Sequence, residues 1–162
     1  LPDRMYFANW MRAVDLFDLF RDFYQNFDYD KALAMCRSLG VEPKDKLKSM
    51  SKGTKEKVQL VLVMARKARL YLLDEPIAGV DPAARDFILH TILTNYNEDG
   101  TVLISTHLIA DIEKVLDEVI FLKSGRIMLH STVDDIRERQ GKSVDALFRE
   151  IFRTQPMEGG LY

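Results

Sequence analysis

Apolar residues recur at intervals of three and four through the first part of the chain. Residues 8–27 are dense in apolar and aromatic side chains at this spacing, which predicts an amphipathic helix. Residues 30–39 repeat the period and are followed by Gly40 and Pro43, two residue types that commonly follow the end of a helix. Residues 55–68 are apolar on nearly all sides, so we expect a third helix there, buried on all faces.

From residue 70 onward, short apolar runs alternate with helical patterns. The runs at 70–73, 101–105 and 118–122 are bounded by polar residues and have the length of strands. Helical patterns occupy 82–97 and 108–116 between them, and this alternation favours a mainly parallel sheet covered by helices. Residues 124–126 are typical of a hairpin turn into a strand at 127–129. Two short helices are predicted at 133–139 and 144–152.

Composition and charge narrow the class of protein. A chain of 162 residues, 47% of them hydrophobic, is long enough for one globular domain with a core. The 23 basic and 25 acidic residues nearly balance, so no nucleic-acid partner is expected. The single cysteine, Cys36, cannot form an internal disulfide, and we expect it to be a small buried group on a helix. No apolar run reaches the roughly 18 to 20 residues of a membrane-spanning helix, so any link to a membrane would require a partner protein.

Two adjacent carboxylates, Asp74 and Glu75, directly follow the predicted strand at 70–73. Open α/β sheets bind ligands beyond the carboxyl ends of their strands, and the pair lies at such an end. An aspartate there can hold a hydrated magnesium ion. A glutamate one residue later can polarise a water for attack on a γ-phosphate. Acidic residues also end strands without any such role, so the pair alone leaves both interpretations open.

A second candidate is the segment Ser51-Lys52-Gly53-Thr54, which opens the helix predicted at 55–68. A helix N-terminus offers unpaired N–H donors and a partial positive charge, which suits a phosphate. Gly53 permits close approach to the backbone, and Ser51 can supply a hydroxyl donor. Alone, the segment is a capped helix. Its position, 23 residues ahead of Asp74, favours a functional role.

His107 is the histidine with a functional context. It follows the predicted strand Thr101–Ser105 and lies 32 residues past Glu75. A single histidine after a strand is as often structural as functional, so its position relative to the acidic pair carries the hypothesis. His90, inside a predicted helix, and His130, after a predicted strand, are expected to be surface or packing residues.

Asp81 stands directly before the helix predicted from Pro82, and Gly79 lies two residues earlier. An aspartate N-cap followed by proline is also an ordinary helix start. Taken together, however, segments 50–54, 70–75, 78–81 and 101–107 stand in a fixed order. In that order the chain resembles, from residue 1 to about residue 152, the second half of an ATP-binding cassette (ABC) ATPase.

The resemblance implies a role for the residues that follow the strands, and it implies ATP and Mg²⁺ as the bound species. Asp74 would be the Walker B aspartate that holds Mg²⁺. Glu75 would be the catalytic glutamate. His107 would be the switch histidine that contacts the γ-phosphate. These roles depend on the likeness to the family and not on the spacing alone.

The resemblance also implies nucleotide-binding roles for four other residues. Ser51 and Gly53 would belong to the signature loop, whose usual form is Leu-Ser-Gly-Gly-Gln. The departures from that form are Met50, Lys52 and Thr54. Asp81 would lie in the D-loop at the interface between two ATPase domains. Asp3 would take the place of the usual glutamine or glutamate of the Q-loop.

The implied fold is an α/β fold of the P-loop NTPase type, with an incomplete, mainly parallel sheet and an α-helical subdomain. Residues 1–49 would be the helical subdomain with a Q-loop remnant, 50–130 the signature helix and the C-terminal half of a RecA-like core, and 131–162 a C-terminal helical extension and tail. No G-x-x-x-x-G-K-[ST] occurs in the sequence, and it does not begin with methionine. We therefore expect a C-terminal fragment that by itself binds ATP poorly and is inactive as an ATPase.

The implied partners are a second ABC ATPase domain, in a homo- or heterodimer, and a transmembrane permease bound through the helical subdomain. Tyr6, Phe7 and Trp10 are candidates for the permease contact. The implied location is cytoplasmic, peripheral on the inner face of the cell membrane. Residues 143–148 resemble a segment common in bacterial ABC exporters of the drug and antibiotic-resistance type.

Two other classes of protein stay open. A soluble ABC-type ATPase of DNA repair or translation would share the motifs, but it would need long coiled coils or a second cassette, and neither is visible in this sequence. A non-catalytic regulatory module could keep the signature side without a phosphate loop. The presence of Asp74, Glu75 and His107 together favours a truncated enzyme over such a module.

Overall fold

The computed structural model describes residue 1 and residues 6–153, and the chain divides into two compact units, Leu1–His107 and the part from Leu108 onward. The helices are α1 (Ala13–Phe23), α2 (Tyr29–Leu39), α3 (Lys52–Met64), α4 (Pro82–Asn95), α5 (Ile109–Ile112), α6 (Val133–Gln140) and α7 (Val144–Phe152). The strands are β1 (Leu70–Asp74), β2 (Thr101–Ser105), β3 (Glu118–Lys123) and β4 (Arg126–Thr132). Within the described ranges, no helix is long and apolar enough to cross a membrane.

The first unit begins with α1, α2 and α3 packed around an aromatic centre. Helix α1 buries Leu16 and Phe17 completely. The ring of Phe17 lies 6.1 Å from that of Phe27 and 5.9 Å from that of Tyr29, measured between centroids, and it meets Tyr29 edge-on. Tilted and edge-on contacts at these distances are favourable for aromatic rings. The apolar face of this helix therefore contributes Leu16 and Phe17 to a buried core.

Helix α2 has the ends that its sequence predicts. The side chain of the N-cap residue Asp28 accepts a hydrogen bond from the N–H of Lys31 at 2.9 Å. At the other end Gly40 has φ 66°, a left-handed conformation that glycine adopts without strain. Cys36 is fully buried on this helix. Burial, and secondarily the charge of Glu42, raises the pKa of its thiol to about 11, so the thiol is protonated and unreactive at neutral pH.

Helix α3 packs against α1 and α2. It begins at its N-cap Ser51, earlier than the pattern at 55–68 indicates, and Ala65 is its C-cap. The buried residues of α3 are Val58, Gln59, Leu60, Val61, Leu62 and Met64. The prediction of a helix covered on nearly all sides is therefore confirmed, with one polar side chain, Gln59, inside.

Strands β1 and β2 pair in parallel, so their carboxyl ends lie at the same edge of the sheet. Helix α4 connects them. Tyr71 and Leu73 lie on the buried face. The opposite face leaves three leucines about half exposed, Leu70 (53%), Leu72 (55%) and Leu103 (51%). Buried and exposed side chains alternate along β1 because successive side chains of a strand point to opposite faces. The sequence does not reveal this alternation, since all four residues 70–73 are apolar.

Tyr71 joins three backbone positions through its hydroxyl. This hydroxyl donates to the carbonyl of Arg66 at 2.6 Å and accepts from the N–H groups of Ala68 at 3.2 Å and Asn97 at 3.1 Å. We expect Tyr71→Phe to lower the free energy of unfolding by about 2–3 kcal/mol, because the ring volume is kept while three part-buried backbone groups lose their hydrogen-bond partner. Urea denaturation followed by circular dichroism measures the change.

The matched control is Tyr6→Phe, at a ring that is 68% exposed. Its effect should stay within about 0.5 kcal/mol. If Tyr71→Phe leaves the urea midpoint as unchanged as the control does, the hydroxyl does not stabilise this junction.

The second unit is built on a hairpin of β3 and β4. Its turn residues Ser124 and Gly125 have φ 49° and 75°, the pair of positive angles of a type I′ turn. The ladder is irregular between Phe121 and Leu122, where the register shifts. Phe121 packs edge-on against Phe148 of α7 at 5.4 Å. The core of this unit consists of Ile109, Val119, Phe121, Val133, Ile136, Val144 and Leu147.

The types of element match the prediction, whereas some lengths do not. Helix α1 begins at Ala13 and not near residue 8, because Arg12 is extended and bridges to Lys46. Helix α5 is a single turn and not the nine residues predicted at 108–116. The strands form two separate two-stranded sheets, one parallel and one antiparallel, so the predicted incomplete α/β fold is confirmed. The boundaries at 49/50 and 130/131 stay predictions.

Candidate active site

The ends of β1 and β2 bring the acidic pair next to residues 105–107. In the parallel register Asp74 stands opposite Ser105. The N–H of Glu75 donates to the carbonyl of Ser105 at 2.9 Å, which extends the ladder one residue past the strand. The acidic pair therefore meets the residues that follow β2 at one edge of the sheet, where open α/β folds bind ligands.

Both oxygens of the Glu75 carboxylate have partners. Oε1 lies 2.7 Å from Nδ1 of His107, and Oε2 accepts from the hydroxyl of Thr106 at 3.2 Å. The backbone of Glu75 has φ 46°, a left-handed conformation that is uncommon outside glycine. Strain of this kind is concentrated at functional sites. Here it accompanies a carboxylate held in a fixed orientation by two side chains.

His107 is the exposed member of this pair. Its Nδ1 carries the proton that is donated to the Glu75 carboxylate, so the opposite ring nitrogen, Nε2, faces away from that carboxylate. The side chain is 68% exposed, which gives a ligand access to the ring. His130 forms a similar pair with Glu118 at 2.8 Å, but it lies on the hairpin of the second unit. His90 is exposed on α4.

Asp74 is held by Ser105. The Ser105 hydroxyl donates a hydrogen bond to Asp74 Oδ1 at 2.5 Å. The backbone N–H of Asp74 donates to the carbonyl of Leu1 at 3.0 Å, so Leu1 lies along the other edge of β1. Asp3, the residue predicted for the Q-loop, lies outside the described residues.

The segment that resembles the signature loop forms the first turn of α3. The Ser51 hydroxyl accepts from the N–H of Thr54 at 3.1 Å and lies 2.8 Å from the Thr54 hydroxyl. A Cβ built on Gly53 would meet nothing within 4 Å, so the backbone is open to an approaching group. Lys52 forms an exposed ion pair with Glu56 at 3.7 Å. The capping interpretation therefore holds, and the turn is accessible to a ligand as well.

A cavity of about 150 Å³ connects this helix with the acidic pair. Its lining includes Lys52, Glu56 and Gln59 of α3 together with Asp74, Glu75 and Gly79. Gly79 has φ 70°, and the Lys52 ammonium lies 3.8 Å from where a Cβ on Gly79 would stand. The cavity thus contacts the signature-like segment through Lys52, the residue that departs from the family's glycine.

Asp81 stands at the end of the loop that follows the acidic pair. Helix α4 begins at Pro82, as the sequence predicts. The carbonyl of Asp81 accepts from the N–H groups of Ala84 at 2.8 Å and Arg85 at 3.2 Å, which closes the first turn. Its side chain is exposed. The D-loop role of Asp81 concerns a second domain and stays a prediction.

Two residues at this site do not stand out in the sequence. Ser105 could be found from register, because β1 and β2 have equal length and pair end to end. Gln59 is the one polar residue among the apolar positions 58–65. It is 4% exposed, and its Nε2 has no hydrogen-bond partner in the part of the chain that the structure describes. Ser105 can be recognised only when the pairing of the two strands is known, and Gln59 only when its position is known to be buried.

The site fits a metal ion that arrives with a nucleotide. Within the described residues, no group of three or more His, Cys, Asp or Glu side chains could hold a metal by itself. Asp74 provides one carboxylate with a hydroxyl donor beside it. Mg²⁺ is commonly bound through one or two carboxylates, water and the phosphates of a substrate. Asp74 would supply one carboxylate to such a shared site.

A comparison with models of protein families matches the part of the chain that contains the acidic pair. A family model described as "AAA domain, putative AbiEii toxin, Type IV TA system" matches residues 41–110. That range includes α3, β1, α4 and β2, and with them Ser51, Asp74, Glu75 and His107. The match therefore covers the candidate active site and only the first three residues of the second unit.

Relatives and a solved structure agree on one family. An uncharacterized ABC transporter ATP-binding protein of Synechocystis sp. is 25% identical over 143 residues, which cover 84% of this chain and 40% of that protein. The ABC-type transporter ATP-binding protein EcsA of Bacillus subtilis is 33% identical over 104 residues, covering 62% of this chain and 42% of that protein. A solved ATP-binding subunit of an ABC transporter matches with TM-score 0.78 and 27% identity, over 94% of this chain and 67% of that one.

The chain spans about two fifths of the length of these two curated relatives. The likeness nevertheless extends over most of its own residues, and it includes both the sequence and the fold. On these grounds the chain is similar, in sequence and in fold, to ABC transporter ATP-binding proteins.

Proposed function

We propose that this chain is part of the nucleotide-binding subunit of an ABC transporter, in which ATP binding and hydrolysis drive a membrane permease. The observation that carries the proposal is the pair of Glu75 and His107, 2.7 Å apart, beside Asp74 at the ends of two parallel strands. The three side chains come from two segments more than 30 residues apart in sequence. Their convergence on one edge supports a shared chemical role.

Glu75 acts in this proposal as the general base for a water molecule. The contacts with His107 and Thr106 fix the plane of its carboxylate. When the water attacks the γ-phosphorus of ATP, a new P–O bond forms, the bond to the leaving ADP oxygen breaks, and a water proton passes to Glu75. His107 contacts the γ-phosphate through the exposed part of its ring. Its bond to Glu75 keeps the ring in position.

Asp74 is the residue that would hold Mg²⁺. When bound, the ion neutralises negative charge on the β- and γ-phosphates of the nucleotide. The part of this chain is to present an ionised carboxylate, which the Ser105 hydroxyl holds in a fixed orientation. The exposure of Asp74 at the end of β1 leaves it accessible to a metal–nucleotide complex.

The remaining nucleotide-binding residues are proposed to act on a second ATPase domain. Ser51 and Gly53 lie at the exposed N-terminus of α3, where unpaired N–H groups and the helix dipole favour a phosphate. Asp81 lies on the exposed loop before α4. In a homo- or heterodimer these surfaces would face the nucleotide of the partner, so that each site combines residues of two domains.

The permease is proposed to bind the helical part of the first unit. Tyr6 and Trp10 are 68% and 69% exposed, which is unusual for large aromatic residues on a free surface. Phe7 is less exposed, and its ring lies 6.0 Å from that of Phe20. The Phe7 ring therefore packs against the first unit, whereas the side chains of Tyr6 and Trp10 are exposed. This contact would hold the protein at the inner face of the cell membrane.

The narrower proposal is a subunit of a drug or antibiotic exporter. It depends on residues 143–148, which resemble the corresponding segment of such exporters. In the structure this segment opens α7, with Ser143 as its N-cap and the side chain of Ser143 accepting from the Ala146 N–H. Val144 and Leu147 of the segment are buried in the core of the second unit. Two of the residues that resemble the exporter segment, Val144 and Leu147, therefore pack in the core of the second unit.

The test compares the full-length product of the gene with the 162-residue chain in a phosphate-release assay with Mg²⁺ and ATP. We expect turnover by the full-length product. We expect none above background from the chain, because a G-x-x-x-x-G-K-[ST] loop, which supplies most phosphate contacts in the family, does not occur in its sequence. If the 162-residue chain hydrolyses ATP, the loop is not required for activity. A full-length product without turnover would contradict the enzymatic function and favour a regulatory module.

A further inference from the structure

Ser105 contacts both members of the acidic pair, and it uses different atoms for each. Its hydroxyl donates to Asp74 Oδ1 at 2.5 Å. Its backbone carbonyl accepts from the N–H of Glu75 at 2.9 Å. The last residue of β2 thus determines the side-chain orientation of one carboxylate residue and the backbone position of the other.

The hydrogen bond from the Ser105 hydroxyl restricts the rotation of the Asp74 carboxylate. A carboxylate at an exposed strand end turns easily about its terminal torsion, which is broad and roughly two-fold. A hydroxyl donor on one oxygen restricts this rotation and so holds the plane of the carboxylate. Mg²⁺ requires near-ideal octahedral geometry, so an orientation set in advance improves its binding.

We propose that Ser105 is a positioning residue, which orients Asp74 to bind the metal ion of a metal–nucleotide complex. The inference rests on the proposed function and adds to it a residue outside the catalytic pair. Ser105 acts through Asp74, because it is the Asp74 carboxylate that would contact the ion. The register of β1 and β2 places the two side chains next to each other.

Because Ser105 and Asp74 are both exposed, a role of Ser105 in positioning Asp74 can be distinguished from a role in the stability of the fold. Asp74 and Ser105 are both exposed, so water can replace the hydroxyl when it is removed. The stability of the fold should therefore change little. The backbone bond from Glu75 to Ser105 does not involve the side chain, so substitutions at position 105 leave that contact available.

The experiment uses Ser105→Val and Ser105→Thr in the full-length product. Valine and threonine have nearly the same shape and both suit a strand, but only threonine keeps the hydroxyl. Mn²⁺ serves as the probe, and its affinity is measured by electron paramagnetic resonance in the presence of ADP. We expect Ser105→Val to weaken Mn²⁺ binding about tenfold and Ser105→Thr to stay within about twofold of the parent, because loss of an outer-shell partner typically costs 10–100-fold in metal affinity. ADP affinity in EDTA should be equal in all three proteins.

Each result decides between the alternatives. Equal Mn²⁺ affinity for Ser105→Val and the parent overturns this inference alone, and so does an equal loss for Ser105→Val and Ser105→Thr. A parent protein that does not bind Mn²⁺ with ADP overturns the proposed function and this inference with it. Weaker Mn²⁺ binding by Ser105→Val, restored in Ser105→Thr, supports positioning by the hydroxyl.

Discussion

Glu75→Gln in the full-length product is expected to lower kcat for ATP hydrolysis by about 100- to 10,000-fold, the usual range for the loss of a general base. The glutamine amide has the size of the carboxylate, and its oxygen can still accept a hydrogen bond from His107 Nδ1. It cannot take a proton from water. The affinity for ATP, measured with a fluorescent analogue, should therefore change little while turnover is lost.

The chain contains a matched control for this substitution. Glu118 forms a hydrogen-bonded pair with His130 at 2.8 Å, nearly the same separation as between Glu75 and His107, but on the exposed hairpin of the second unit. Glu118→Gln should keep kcat within about twofold of the parent, since surface substitutions of this kind have small effects. If Glu75→Gln retains turnover comparable to that of Glu118→Gln, Glu75 is not the base.

The position of the acidic pair could be predicted from the sequence because the strand before it is an uninterrupted apolar run. The same holds for His107, which follows a second such run at Thr101–Ser105. The positive φ of Glu75 could not be predicted, since no glycine or asparagine marks it. The contacts of Ser105 were also hidden, because they depend on the register of two strands separated by a helix.

The elements of the fold were predictable where local signals coincide. Helix α2 has an aspartate N-cap and a glycine after its last turn, and both ends lie within one residue of the prediction. Helix α5 has no such end signal, and its apolar period at 108–116 extends beyond the single turn that forms. The exposed leucines of β1 were unpredictable as well, because a strand of four apolar residues does not indicate which face is covered.

Phe17→Ala is the substitution for which we expect the largest loss of stability, about 3–5 kcal/mol in the free energy of unfolding. The Phe17 side chain is fully buried in the helical part of the first unit. Its ring contacts those of Phe27 and Tyr29, and alanine would leave a cavity that rigid helices cannot fill. Because a whole domain is stabilised by about 5–15 kcal/mol, this loss would bring the first unit close to unfolding at ambient temperature. Urea denaturation of the 162-residue chain, followed by circular dichroism at 222 nm, measures it.

The same helix supplies the control. Phe23 is the last residue of α1 and is 76% exposed. Phe23→Ala removes the same atoms as Phe17→Ala, and alanine favours the helix slightly more than phenylalanine does. We expect a change of no more than about 0.5 kcal/mol for Phe23→Ala. Equal shifts of the urea midpoint for the two variants would contradict the packing described here, because only a ring that fills a core should be costly to remove. A large shift for Phe17→Ala alone would show that the aromatic residues of this helix divide into a buried face that stabilises the fold and an outer end that is free for a partner.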